Sequence, residues 1–221
     1  CSNVSEVSFG ENIQQIYKGL CQGLSKIQKV TIPEGVEIIG SCAFKGCSSI
    51  ESISLPSTLK CIEKYAFADA KITEIELPEG LNEIGVSAFY ANNSLKSVTI
   101  PKSITQLSAT AFAECNNMIS ATYNAAQCNS TGSGIFPDDK FKKLTIGKDV
   151  EIIPNYIIQP SSIKVIEWNA KAVRVYNTLN FGSSNTTATP TAILADSVTA
   201  FYGCNSPIII SYAEVPPALS Y

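Results

Sequence analysis

The residues able to carry chemistry are few, and their spacing suits little of it. The 221-residue chain has no histidine, so the usual general base for a serine or cysteine nucleophile is missing. Eight cysteines include no CxxC pair and recur with a longer period. They read as small, buried apolar residues where the chain turns, and no metal or other cofactor is expected. Gly132, Ser133 and Gly134 make a glycine-rich run without the Lys-Ser/Thr that a phosphate loop requires. Glu74 and Glu76 stand about 7 Å apart if extended, within the range of a glycosidase carboxylate pair. Nothing around them implies a cleft, so the preferred reading is a solvated acidic patch. Asn3, Asn92, Asn129 and Asn185 begin Asn-x-Ser/Thr sequons, which matter only in a eukaryotic secretory host. Net charge is −3, from 16 basic and 19 acidic residues, and Arg174 is the lone arginine, so no nucleic-acid partner is expected. No apolar run approaches the roughly 18–20 residues that a membrane helix needs.

What positions these residues is a repeat. Leu95 to Cys115 overlays Ile27 to Cys47, matching Val98 with Val30, Ile100 with Ile32, Pro101 with Pro33, Ala111-Phe112 with Ala43-Phe44, and Cys115 with Cys47. Pro33, Pro56, Pro78 and Pro101 are 23, 22 and 23 residues apart, a period typical of solenoids. Copies begin at Val4, Ile27, Ile50, Ile72, Leu95, Met118, Phe141 and Ile163, each counted as position 1. Positions 4 and 6 are almost wholly apolar and positions 3 and 5 polar, the alternation of a half-buried strand. The prolines at position 7 lack an amide donor and end it. A second apolar pair at positions 10 and 13 is followed by Gly40 or Gly85, which suits a tight corner. Ala43-Phe44, Ala66-Phe67, Ala88-Phe89 and Ala111-Phe112 return inward through what is expected to be one helical or 3-10 turn. The phenylalanines should form a buried column.

The sixth copy places Gln127 and Ser130 at positions 10 and 13, and Gly132 to Gly134 replaces its Ala-Phe step, so it is expected to bulge. Later copies fade: Thr187 to Thr189 reads as a weak strand, Ala200-Phe201 to Cys204 restores the motif, and Ile210, Ser211 and Tyr212 form a last strand. Cys1, Ser2 and Asn3 read as the end of a preceding repeat, which argues against Cys1 as a lipoprotein acylation site.

The pattern L/I-x-x-V/I-x-I/L-P-x-x-V/I-x-x-I/L-G-x-x-A-F-x-x-C resembles the BspA-like leucine-rich repeats of microbial surface proteins. The resemblance implies an adhesion or protein-binding module at the cell surface or outside the cell, not an enzyme. The expected fold class is α/β but mostly β: one leucine-rich repeat solenoid over 1–221, right-handed, with parallel strands on one face and short helical or 3-10 turns on another. Copies are regular over 4–115, partly degenerate over 118–168 and degenerate over 169–221. Position 5 forms a hydroxyl-rich row from Ser8 to Glu167, continued by Ser211. A protein partner, such as a host extracellular protein, is expected on the strand face at Lys29, Thr31, Ser52, Ser54, Glu74, Glu76, Ser97 and Thr99. A passive spacer within a larger surface protein is the second reading. Carbohydrate binding is the third, because positions 3 and 5 carry no aromatic platform.

Overall fold

The computed structural model describes residues 3–108, 110–128, 135–137, 140–153, 157 and 164–170, and the strands Ala172–Val175, Thr191–Leu194 and Ile208–Ser211. Its coils stack as the repeat requires, with the apolar positions inside one continuous core. Each coil has three sides. The front carries the strand at positions 3–6. A second side carries a two-residue strand at positions 12–13: Gln15–Ile16, Ile38–Ile39, Cys61–Ile62, Glu83–Ile84 and Gln106–Leu107 pair in parallel as one five-stranded sheet. The single apolar residue at position 13 did not signal that sheet.

The third side departs from the expected helical turn, for no helix occurs among the described residues. The backbone there enters the left-handed region twice in each of the first four coils. Position 16 does so at Gly19, Cys42, Tyr65 and Ser87, and position 20 at Gly23, Gly46, Asp69, Ala91 and Glu114, all with φ between 53° and 75°. A helix cannot continue through such residues. The amides divide in alternation instead. Those of Cys42, Phe44 and Gly46 donate to Lys64, Ala66 and Ala68 of the next coil, while those of Ala43, Lys45 and Cys47 close turns onto the residue three back. All these backbone groups are thereby paired away from water.

Packing follows the repeat closely. Phe44, Phe67, Phe89 and Phe112 are fully buried and stacked with centroids 5.4, 5.4 and 5.1 Å apart, near the spacing of neighbouring strands. Gly40 and Gly85 are needed for closeness rather than for a corner. A Cβ at Gly40 would lie 2.7 Å from the Ile16 carbonyl oxygen, and one at Gly85 2.7 Å from the Lys64 nitrogen.

Proline at position 7 also shapes the front. Where Asn124, Gly147 and Asn169 replace it, their amides donate to the position 6 carbonyls of Ile100, Tyr123 and Ile146 in the preceding coil. Proline has no such donor. The four-residue strands Ser97–Ile100, Ser120–Tyr123, Lys143–Ile146 and Val165–Trp168 therefore form a continuous parallel ladder. Earlier, only Glu6–Ser8 and Lys29–Thr31 pair as strands, and coils three and four join through the single bridges Thr31 to Ser54 and Ser52 to Glu74.

The sixth coil keeps its chemistry by slipping register. Gln127 bridges Ile152, two residues earlier than the count predicts, and Phe112 N donates to Ile135 O, one residue later. Phe136, rather than Gly132 to Gly134, thus supplies the ring that continues the column, 6.0 Å from Phe112 and 5.2 Å from Phe141. Ser130 and the expected bulge lie outside the described residues, as do Cys1, Thr187 to Thr189 and Ala200 to Cys204.

Toward the C-terminus, Ile208–Ser211 pairs with Val165–Trp168, and Ala172–Val175 pairs antiparallel with Thr191–Leu194. The register sets Ile210 against Glu167 and Ser211 against Trp168. Ser211 therefore occupies position 6 and does not extend the hydroxyl-rich row. A one-residue slip exchanges the two faces of a strand.

Candidate functional site

The strand face is built by alternation. Val30, Ile53, Ile75 and Val98 turn into the core, which forces the residues on either side of each outward. Lys29, Thr31, Ser52, Ser54, Glu74, Glu76, Ser97 and Thr99 are accordingly all exposed. The bridges bring Thr31 beside Ser54 and Ser52 beside Glu74. No bridge joins Glu74 or Glu76 to Ser97 or Thr99, which open the longer ladder. Ser52 to Leu55 and Glu74 to Glu76 line a shallow open depression of about 300 Å³.

Charges on this face are mostly cancelled between coils. Lys29 meets Glu6 at 2.9 Å, and that hydrogen bond and charge hold its ammonium pKa up. Lys143 meets Glu167 at 2.7 Å, and with a 3.0 Å hydrogen bond from Thr145 Oγ1 holds that carboxyl below its ordinary value. Glu74 and Glu76 differ: among the described residues neither has a cationic partner. Sequence reasoning missed the adjoining corner, where Gln28, Ser48, Ser49, Glu51, Ser52 and Lys71 line a second depression of about 450 Å³, crossed by a Lys71–Glu51 contact of 3.8 Å. Its residues lie at positions 2, 3, 22 and 23, beyond the alternation that marks the strand.

Several of the thiols among the described residues are held protonated by their surroundings. Burial pushes the thiols of Cys47 and Cys128 up to about 11 and those of Cys115 and Cys61 up to about 12. Thiolates, the reactive form, are therefore suppressed at neutral pH. At position 21 the side chain has a structural task instead. Cys47 Sγ donates to Cys21 O and Cys115 Sγ to Phe89 O, each at 3.1 Å, and Asn92 Nδ2 donates to Phe67 O at 2.8 Å. Each acceptor is the position 18 carbonyl of the preceding coil. Asn92 is fully buried, so its sequon cannot carry a glycan without unfolding the coil. No three acidic, cysteine or histidine side chains converge as a metal site among the described residues.

Comparison with known proteins agrees with this architecture. A leucine-rich repeat protein from Bacteroides ovatus is 23% identical, with a TM-score of 0.58 over 96% of this chain and 61% of its own. The chain thus spans about three-fifths of that protein. The T. pallidum leucine-rich repeat protein TpLRR is 22% identical, with a TM-score of 0.52 over 69% of this chain and 74% of its own. One from Eubacterium ventriosum is 19% identical, with a TM-score of 0.51 over 94% of this chain and 72% of its own. At these identities the likeness is one of fold. None of the curated proteins compared matches the chain. The BspA type leucine rich repeat region matches residues 1–51 and 37–164 in six copies, a span that covers the coils stacked in the core. With that match and this solenoid, the chain belongs to the BspA type leucine-rich repeat family, whose members are in general non-enzymatic scaffolds for protein interaction.

Proposed function

We propose that the chain is a cell-surface or secreted repeat protein that binds a host or partner protein through its strand face, centred on Ser52, Ser54, Glu74 and Glu76. The observation that carries this reading is the uncompensated pair. Glu6 and Glu167 on the same rows are each matched by a lysine of the adjacent coil, whereas Glu74 and Glu76 face only serine and threonine rows. Two like charges on one strand face serve stacking poorly. They suit a basic or amide-rich partner surface, with attraction that weakens as salt rises. The shallow depression beside them fits part of a protein interface better than a small-molecule pocket.

The test is binding of wild type and of a Glu74→Ala, Glu76→Ala variant to immobilised extracellular-matrix proteins over a salt series. Affinity that falls about tenfold or more in the variant, with a flatter salt dependence, is the expected outcome. Equal affinity and equal salt dependence in a folded variant would leave the pair as a solvated surface feature and favour the passive spacer.

A further inference from the structure

A second charge pattern flanks the strand face and plays no part in the acidic site. Position 2, the corner by which the chain enters the front strand, reads Ser5, Gln28, Glu51 and Thr73 in the first four coils. It then reads Lys96, Ile119, Lys142 and Lys164. These four stack directly: Ile119 N donates to Lys96 O, Lys142 N to Ile119 O and Lys164 N to Lys142 O, each at 2.8 Å. All four side chains are exposed, Ile119 by 45%. Among the described residues, the other lysines of the front and of this corner are engaged, since Lys29, Lys71 and Lys143 hold carboxylates and Lys26 and Lys140 hold asparagine oxygens. Lys96, Lys142 and Lys164 have no side-chain partner among the described residues. Glu167, the acidic residue on the front of these coils, is taken by Lys143 and Thr145.

We infer that this ridge binds a linear acidic polysaccharide. Stacking fixes the three ammonium-bearing residues on a straight line, about 5 Å apart between adjacent coils and about 10 Å between Lys96 and Lys142. A single row of exposed side chains does not enclose a compact ligand, but an extended chain can lie along it. A glycan with one carboxylate or sulfate per disaccharide presents charge on the longer of those spacings and sets an uncharged ring over the exposed Ile119 between them. An acidic peptide strand would place carboxylates about 7 Å apart on one face, out of step with the coils. A duplex carries a phosphate every ~3.4 Å of each strand, far more charge than three lysines match. The chain's net charge is −3, so any retention on a polyanion must come from a local patch acting within about 8–10 Å.

The experiment is retention on immobilised hyaluronan at low salt, with soluble hyaluronan, poly-glutamate and duplex DNA as competitors. Wild type should be retained and released as salt rises. Lys96→Gln, Lys142→Gln, Lys164→Gln should bind about tenfold or more weakly, the sum of three exposed charge contacts. A control with Lys18→Gln, Lys60→Gln and Lys64→Gln, exposed lysines away from the ridge, should stay within about twofold of wild type. Absence of retention, equal retention of the ridge variant, or equal loss in the control would overturn the inference. Displacement by poly-glutamate or duplex DNA at lower concentration than by hyaluronan would overturn its assignment to a saccharide. The Glu74, Glu76 variant should bind hyaluronan at least as well as wild type, which separates this surface from the strand-face reading.

Discussion

Single residues in this molecule act by what they do for the next coil. Phe89 lies between Phe67 and Phe112 in the buried column, so Phe89→Ala should destabilise the protein by about 3–5 kcal/mol, read from the shift in a denaturant melt. Asn92 bonds two carbonyls through one amide group and accepts from Ile72 N through its oxygen. Asn92→Ala should cost about 1–3 kcal/mol because buried groups lose their partners, and Asn92→Cys, the residue used at the same place by Cys47 and Cys115, should recover part of that. The thiols set a limit on the alkaline side. Their folded pKa values of about 11 to 12 lie above an ordinary value of 9.0, so the unfolded chain releases those protons first. The resulting stability is whole below pH 9 and is lost as pH rises toward 11–12. Melting temperatures should fall across that window, and a Cys115→Ala variant should show a shallower fall.

At the scale of the element, the third side turns on its two left-handed positions in each of the first four coils. Ala91 sits at φ 57° where Gly23 and Gly46 stand in earlier coils. Ala91→Gly should therefore stabilise the coil by about 1 kcal/mol, and Gly46→Ala should weaken it by a similar amount, provided both variants melt in one cooperative step. Gly85→Ala should be worse than either, because its Cβ would press on the backbone of the preceding coil rather than on a movable side chain. The front strands and the phenylalanine column were legible in the sequence because both are burial patterns, and burial selects residue type directly. The third side was not. Left-handed backbone is held there by Cys42, Tyr65, Ser87, Asp69 and Glu114, none of which advertises it as glycine does, and inter-coil hydrogen bonds override local preference. The sixth coil departs from the count for a related reason: fixed counting from Met118 cannot register a two-residue shortening before the second side and a three-residue lengthening after it. The alternation exposed at Lys29 to Thr99 was readable, but the cancellation of Lys29 by Glu6 appears only when coils are stacked.

At the scale of the whole molecule, the stack separates charge along its length, with Glu74 and Glu76 in the fourth coil and the exposed lysines of position 2 from the fifth coil to the eighth, none of them ion-paired among the described residues. The acidic pair on the strand face and the lysines at its edge thus stand on different coils. The hydrogen bonds between coils carry a further consequence for a protein held at one end and loaded at the other. On all three sides they run from one coil to the next, so tension applied between the ends opens them in sequence instead of shearing many at once. Each coil that peels away frees its 22 or 23 residues, which extend by roughly 75–80 Å at ~3.4 Å per residue. Pulled in a force spectrometer, the regular part of the molecule should yield in a train of equal steps of about that length, lengthening gradually while its remaining coils stay folded.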